Sequence, residues 1–333
     1  MKQKKPTMND VAREAGVGRG TVSNYINGIA IKEENKIRIE DAIKKLGYIP
    51  NLQARALKTA QNSTVVFVVP TNWTPFFSEV TFKMQNELES HGYRMILANS
   101  HSNPEEEEEI LKMASLNQVS GVITMSYSDI YNVTNFSHAS NLVSIERFVS
   151  EDIPLISSDN IKGGELAAKK LIEQGSKRLL IIRRQDNHYN ANDRRTEGFK
   201  KYALKMGYPV DEFEATASPQ YRQEIFQYLS THFRDNQIPF DGIFCVTDEY
   251  AEIVQEAFPI INPSLLDQIK LIGFDGARAF PNAPLKFDSI RQPIDEIVKC
   301  SVSVLIKMIK NQPVPKGYKK ILPVSYVAKE KLF

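Results

Sequence analysis

The sequence predicts two parts, a small all-α head and a larger α/β body with parallel sheets. First, residues 1–50 hold three short amphipathic segments, and a glycine separates the first two. Second, from Val65 onward short apolar runs alternate with helical segments, which is typical of parallel sheets. Third, residues 1–62 contain 12 Lys and Arg and 6 Asp and Glu, a net charge of +6. The remaining residues contain 30 Lys and Arg and 34 Asp and Glu, a net charge of −4.

The composition excludes several classes of protein. Of 333 residues, 42% are hydrophobic and 25% are charged, as in ordinary globular proteins. No apolar run approaches the ~20 residues of a membrane-spanning helix, and polar residues follow the basic start where a signal peptide would have its apolar core. Cys245 and Cys300 belong to no paired motif, which indicates reduced thiols. We therefore expect a cytoplasmic protein without membrane contact.

The first two helices of the head are predicted around Gly16. Thr7 and Asp10 fit a capping box at the start of the first helix, and Gly16 ends it after an apolar stripe of Val11, Ala12 and Ala15. The second helix starts near Gly18 and directs Val22, Tyr25 and Ile26 inward. Its outward residues are Arg19, Gly20, Thr21, Ser23, Asn24 and Asn27. Two such helices with a tight turn predict a helix-turn-helix, a motif that reads DNA.

The head continues with a third helix and a short hinge. The third helix is predicted over residues 33–46, and Gly47 ends it. Its apolar residues are expected mostly on one side: Ile37, Ile39, Ala42, Ile43 and Leu46. Asn51 can cap a two-turn helix over residues 51–58, which is too short to be stable alone. We expect this hinge helix to fold only on a partner such as DNA, and residues 59–63 to form a polar linker.

The run from Thr7 to Leu57, with its pieces TVSN-Y-IN, LGYIPN and ARAL, resembles the head and hinge of the LacI/GalR family of bacterial transcription regulators. The resemblance implies that the second helix lies in the major groove. There Arg19, Gly20 and Asn24 would read bases, and Thr21, Ser23 and Asn27 would bind phosphates. Leu57 would wedge into the minor groove from paired hinge helices. The implied DNA-binding set also includes Thr7, Tyr48 and Arg55.

The residue types at the reading positions fit base recognition. Arg19 can bind a guanine edge bidentately and Asn24 an adenine edge, each worth ~1–3 kcal/mol of discrimination. The chain departs from the family at Gly18 and Lys32, where residues with a capping hydroxyl are usual, and these departures weaken helix caps. Asn24 stands where the family often has Arg, which changes the operator that is read and not whether one is read.

Seven short apolar runs in the body are typical of strands that are buried on both faces. They lie at residues 65–69, 95–98, 122–125, 142–145, 179–182, 243–246 and 271–274. Helices are predicted at 75–91, 104–117, 162–174, 193–206, 220–233 and 293–310. Strand spacings of roughly 30 residues match βαβ units. The acidic tract 105–109 follows Asn103 and Pro104, and it is interpreted as a helix start and not as a binding tract.

The body extends the family resemblance over nearly the whole chain. The matching pieces lie at residues 74–77, 145–147, 158–164, 195–199, 247–249, 272–275 and 289–293. The resemblance implies a two-lobed body like the type I periplasmic binding proteins, with a ligand between the lobes. It implies a helix-turn-helix domain at 1–50, a hinge helix and linker at 51–63, a first lobe at 64–158 plus 291–321, and a second lobe at 159–290 plus 322–333.

Polar and aromatic residues at predicted strand ends suit a sugar. In parallel α/β sheets, ligands lie beyond the carboxyl ends of the strands. Polyhydroxy ligands need carboxylates, an Arg fork and aromatic faces. The effector-binding candidates are Arg195, Asp275, Asp248, Phe77, Phe76, Glu146, Thr71, Trp73 and Thr247. The residues at predicted strand ends are Thr71, Glu146, Thr247, Asp248 and Asp275, together with Met125 and Ser126. Arg195 and Asp275 match ligand contacts of the family, whereas Phe76 and Phe77 fit a core position equally well.

Other functions were weighed against this interpretation. The five histidines form no metal spacing, and no nucleophile elbow or phosphate-binding loop is present, so neither catalytic residues, cofactors nor metals are predicted. An exported sugar-binding protein would share the body but not the head. We expect a homodimeric repressor of sugar-utilisation genes that binds a pseudo-palindromic double-stranded DNA operator and a saccharide effector. A purine, nucleoside or phosphoprotein co-regulator is the alternative.

Overall fold

A computed structural model describes residues 6–26, 29–48, 63–116, 119–125, 141–185, 190–233 and 238–330. The chain divides into two compact units, Met1–Asn62 and Ser63–Phe333, which are the head and the body. The head contains α1 (Met8–Ala15), α2 (Arg19–Ile26) and α3 (Glu33–Leu46). The three helices predicted before the hinge are therefore confirmed.

The capping box at the start of the head is present. The Thr7 hydroxyl accepts from the Asp10 amide at 3.4 Å, and the Asp10 carboxylate accepts from the Thr7 amide at 2.9 Å. Gly16 ends α1 at φ +64°, a left-handed conformation that favours glycine. The chain can therefore turn sharply between α1 and α2.

The three helices of the head enclose one apolar core. Its buried members are Val11, Ala12, Ala15, Val22, Ile39, Ala42 and Tyr48. The prediction that Ile37 faces the same side as Ile39 is wrong, because 55% of Ile37 is exposed. Residues that are two positions apart along an α-helix point in directions that differ by about 200°, so these two side chains cannot share a face.

The first sheet of the body consists of six parallel strands. They are β1 (Thr64–Val69), β2 (Arg94–Asn99), β3 (Gly121–Thr124), β4 (Asn141–Ile145), β5 (Leu155–Ser158) and β11 (Lys319–Leu322). Their order is β11-β5-β4-β3-β1-β2. The prediction that the β2 run is buried on both faces is wrong. It is an edge strand, and 52% of Ile96 is exposed.

The second sheet is parallel except for its last strand. It contains β6 (Leu179–Arg184), β7 (Val210–Ala215), β8 (Gly242–Cys245), β9 (Lys270–Asp275), β10 (Asp288–Arg291) and β12 (Ser325–Val327). Their order is β12-β10-β9-β8-β6-β7, and only β12 is antiparallel to its neighbour. The predicted α/β class with parallel sheets is confirmed.

Helices cover both sheets. The described helices of the body are α4 (Pro75–Ser90), α5 (Pro104–Leu116), α6 (Asn160–Glu173), α7 (Ala191–Lys205), α8 (Tyr221–His232), α9 (Asp248–Ile261), α10 (Leu265–Gln268) and α11 (Ile294–Ile309). We call each sheet with its helices a lobe. The helices α4, α5 and α11 pack in the first lobe, and α6 to α10 pack in the second.

The chain crosses between the lobes at residues 158–160, 291–294 and 322–325. Arg291 still belongs to β10 in the second sheet, and Leu322 still belongs to β11 in the first. The predicted division had placed each of these two residues on the other side of its crossover. In both cases the ladder of backbone hydrogen bonds extends one residue further than the boundary that the family resemblance implies.

Two glycines let α6 and α7 approach closely. A Cβ atom on Gly164 would lie 1.9 Å from the Arg195 carbonyl oxygen, and one on Gly198 would lie 2.0 Å from the Ile161 carbonyl oxygen. No larger residue fits at either position without a backbone shift. This close contact fixes the position of α7, which carries Arg195.

Candidate functional site

The candidate DNA-reading residues lie on α2. Arg19, Gly20 and Asn24 are exposed, whereas Thr21 and Ser23 are partly buried. The Gly18 carbonyl accepts from the Thr21 amide at 2.9 Å, which begins the helix without a side-chain cap. Val22 on the opposite face of α2 is fully buried and packs in the core of the head. The exposed face of α2 thus carries the guanidinium of Arg19 and the side-chain amide of Asn24, on a helix that is packed against the core of the head.

Two other DNA-binding candidates have structural roles in the head. Thr7 caps α1, and only 9% of Tyr48 is exposed because its side chain packs in the core. Asn27, Arg55 and Leu57 lie outside the described residues, as does the predicted hinge helix at 51–58. Sequence patterns mark residues as polar or aromatic, but they do not separate a core tyrosine from a surface one.

In the body, strand ends from both lobes meet at a buried polar network. Its centre is Gln292, which follows β10 and is 1% exposed. The Gln292 amide donates to the Asp275 carboxylate at 2.7 Å, and its carbonyl accepts from the Ser158 hydroxyl at 2.7 Å. Two crossovers are thereby joined to the end of β9. Sequence analysis missed Gln292 and Ser158, although both lie in pieces that match the family.

Arg195 is a buried part of this network, with only 2% of the residue exposed. Its Nε donates to the Asn160 carbonyl oxygen Oδ1 at 2.8 Å, and its Nη1 donates to the Val246 backbone carbonyl at 2.7 Å. Its guanidinium lies 3.7 Å from the centre of the Phe274 ring. The nearest carboxylate oxygen of Asp275 is 3.8 Å from Nη1. Nη1 also donates to the Asn192 side-chain oxygen at 3.4 Å, so three of the five guanidinium N–H donors are bound within the protein.

Glu146, from the first lobe, is bound on both carboxylate oxygens. It accepts from the Ser158 amide at 2.7 Å, from the Ser157 hydroxyl at 3.1 Å and from the Asn160 side-chain amide at 2.7 Å. Since Asn160 also accepts from Arg195, one amide side chain joins Glu146 to Arg195. Asn160 lies in residues 158–164, one of the pieces that match the family, but its spacing does not show that it bridges two predicted effector contacts.

Two neighbouring carboxyl groups, Asp248 and Asp275, are shifted towards the neutral form. Burial raises the pKa of Asp275 to about 8, against the opposing charge of Arg195. Burial likewise raises the pKa of Asp248 to about 6, against its hydrogen bond from Ser289. The Ser289 hydroxyl lies 2.6 Å from Asp248, and Gly273 leaves room for this carboxyl group. Asp248 thus supports the turn after β9.

The remaining candidates are not all brought together. Phe76 and Phe77 are buried in the first-lobe core with their ring centres 5.2 Å apart, which favours the core interpretation. Trp73 is 92% exposed, and its amide donates to the Thr71 hydroxyl at 3.2 Å. The Thr247 hydroxyl is buried without a hydrogen-bond partner. Met125 is fully buried, and Ser126 lies outside the described residues.

The interlobe network offers recognition chemistry. Carboxylates, amides, hydroxyls and one guanidinium are held by neighbouring backbone, as in a site that orients a polar ligand. Within the described residues, no group of three or more His, Cys, Asp or Glu side chains could hold a metal ion. Among those same ranges, no helix has the length and apolar character needed to cross a membrane.

Known proteins match both parts of the chain. Residues 7–51 match the family described as bacterial regulatory proteins, lacI family, and residues 62–257 match periplasmic binding proteins and sugar binding domain of LacI family. The sucrose operon repressor of Streptococcus mutans is 32% identical over 97% of this chain and 98% of its own length.

Solved structures give the same architecture. The lac repressor dimer bound to operator and the anti-inducer ONPF covers 98% of each chain with a TM-score of 0.78 at 20% identity, a likeness of fold. A periplasmic binding protein/LacI transcriptional regulator from Alkaliphilus metalliredigens, complexed with D-xylulofuranose, has a TM-score of 0.69 at 25% identity. That structure covers 81% of this chain and 98% of its own.

Proposed function

Because this chain belongs to the LacI family of bacterial regulatory proteins, we propose that it is a homodimeric repressor of sugar-utilisation genes that a saccharide between its lobes controls. Family membership makes the chain a DNA-binding transcriptional regulator and not an enzyme. The observation that carries the saccharide proposal is the buried meeting of Arg195 on α7 with Asp275 and Gln292 at the ends of β9 and β10. Ser158 at the end of β5 joins this group to the first lobe through Gln292. Such donors and acceptors match sugar hydroxyls.

DNA reading is proposed for the exposed face of α2. Arg19 and Asn24 supply side chains that can bind base edges in the major groove, and Gly20 lets the helix backbone approach closely. The basic charge of the head supports binding to the phosphate backbone. Phosphate contacts from Thr21 and Ser23 complete this interface, together with the residues outside the described ranges that the family resemblance implies.

A two-fold dimer is proposed from exposed apolar side chains on both lobes. Phe82 on α4 and Ile96 on the edge strand β2 are exposed in the first lobe, and these two elements contact each other. Ile260 and Phe280 are exposed in the second. A two-fold interface would cover the same residues on both copies and place two copies of α2 on a pseudo-palindromic operator. A saccharide that changes the angle between the lobes would then change the spacing of the two heads.

The proposal is tested with the purified full chain in two steps. Selection from random duplex DNA, followed by gel shift at physiological salt, should yield a palindromic site. Arg19→Ala should no longer distinguish this site from a variant changed at one base pair of each half-site. A thermal-shift screen with sucrose, fructose and ribose should then raise the melting temperature and change operator binding. Arms with purine nucleosides and with a phosphorylated protein test the alternative effectors. Failure to prefer any palindrome over random duplex would refute the proposal.

A further inference from the structure

Arg291 joins the two lobes directly. It is the last residue of β10 in the second sheet, and its Nη1 donates to the Gly276 backbone carbonyl of the same lobe at 2.8 Å. Its two terminal nitrogens also donate to Glu79 on α4 of the first lobe, at 2.9 and 2.5 Å. One guanidinium therefore binds a turn of one lobe and a helix of the other.

This contact has the features of an ion pair that restricts geometry. The side chains of Arg291 and Glu79 are only 24% and 18% exposed, and the guanidinium meets the carboxylate in a two-pronged arrangement. Lys83 lies 3.1 Å from Glu79 and 2.8 Å from Asp295. Two positive and two negative groups thus compensate one another, so the cluster requires no external ion.

The turn that Arg291 holds is the turn that carries Asp275. Asp275 and Gly276 have φ values of +127° and +61°, and a Cβ atom on Gly276 would lie 2.7 Å from the Arg291 Cα. Ala277, the next residue, packs against the core of the first lobe. A shift of Asp275 therefore requires a shift of Arg291, and Arg291 is fastened to α4.

We propose that Arg291, Glu79 and the Gly276 carbonyl form an interlobe latch that sets the angle between the lobes and transmits movement of Asp275 to α4. Arg291 acts as a positioning residue, since it lies beside the interlobe network and is not itself one of the predicted effector contacts. The regulatory consequence rests on the proposed function. The mechanical claim does not, because it concerns the protein without DNA or saccharide.

The latch is tested by measuring a distance between the lobes. Spin labels at Glu89→Cys on α4 and Lys201→Cys on α7 report the lobe angle, with Cys300→Ser removing a partly exposed thiol. Labelled chains are mixed with a large excess of unlabelled protein, so that each assembly carries one labelled chain. Arg291→Gln is expected to shift or broaden the distance distribution. Glu79→Gln is expected to do the same, and the double variant is expected to go no further than either single variant.

A matched ion pair supplies the control. Arg222→Gln breaks the contact of Arg222 on α8 with Glu256 on α9, within the second lobe, and should leave the distribution unchanged. If Arg291→Gln does not fold, as judged by far-ultraviolet circular dichroism, Glu79→Gln decides the outcome. Unchanged distances in a folded Glu79→Gln protein would overturn the latch. A failed saccharide screen would instead overturn the proposed effector and leave this measurement unaffected.

Discussion

Replacing Arg195 with alanine is expected to lower the free energy of unfolding of the body by about 2–6 kcal/mol, because it leaves the buried acceptors on Asn160 and Val246 without their donors, at about 1–3 kcal/mol each. The substitution removes charge-assisted hydrogen bonds to Asn160 and Val246, each worth about 1.5–3 kcal/mol. It also removes the contact of the guanidinium with the Phe274 ring, worth about 2 kcal/mol when desolvated. The sum of these interaction energies exceeds the expected decrease in the free energy of unfolding, because relaxation of the variant and entry of water recover part of the lost energy.

Urea denaturation followed by far-ultraviolet circular dichroism is the appropriate assay. The single tryptophan, Trp73, is 92% exposed, so its fluorescence is a poor reporter of the core. Arg222→Ala is the control, because it removes an exposed arginine whose ion pair is worth less than about 1 kcal/mol. Asn160→Ala combined with Arg195→Ala should show non-additive losses, since the two residues share one hydrogen bond.

A loss below about 1 kcal/mol for Arg195→Ala would refute the assignment of Arg195 as a buried structural fork. The same measurement matters for function. A variant that fails to respond to a saccharide is informative only if the body is folded at the assay temperature. Arg195→Lys keeps the charge but not the planar fork, so it should lie between the parent and the alanine variant in stability.

Further predictions concern the buried acids, the helix contact and the DNA face. Since burial raises the pKa of Asp275 from 3.8 to about 8, the folded protein binds this proton more tightly. Its stability should therefore fall as the pH rises from about 4 to 8, by at most ~1.4 kcal/mol per pH unit for this group. Asp275→Asn should flatten the slope in urea titrations, and an unchanged slope would contradict the pKa shift. Gly198→Ala should lower the free energy of unfolding by about 1–3 kcal/mol, because the added Cβ meets the Ile161 carbonyl oxygen. Gly20→Ala is the control and should not destabilise the head, because the space around Gly20 is open. Equal effects of the two substitutions would contradict the close contact. Arg19→Ala should lose ~1–3 kcal/mol of discrimination at one operator base in competition gel shifts, and a uniform loss over all sequences would indicate a phosphate contact instead.

Continuous apolar runs predicted strands well, and polar strands escaped detection. The seven predicted strands are present, but β5, β7, β10, β11 and β12 were missed, and the helices α9 and α10 were not among those predicted. β7 reads Val-Asp-Glu-Phe-Glu-Ala and lies at an edge of its sheet, where exposed acids are tolerated. β5 is fully buried although it ends in Ser157 and Ser158, because Glu146 and Gln292 satisfy the two hydroxyl groups. No local pattern reveals partners that lie far away in the chain.

Among the candidate site residues, residue type indicated the chemistry but not the contacts. Arg195, Asp275 and Glu146 all belong to one network. The positions of Asp275 and Glu146 at strand ends indicated this, whereas Arg195, on a helix, was identified from the family resemblance. Their binding to an effector stays a prediction. Phe76 could occupy a core or a ligand position by its spacing, and burial in the first lobe favours the core.

By itself, the sequence determined what is local or periodic: the caps and glycine ends of the head helices, the buried runs of the parallel sheets and the change of charge at the linker. These features depend on residues a few positions apart, so they are written along the chain. Only the tertiary structure decided that Gln292 bridges Ser158 and Asp275, and that Arg291 reaches Glu79. Such pairs are separated by up to 212 positions, and their energies depend on distance, burial and orientation, which exist only once the two lobes have packed.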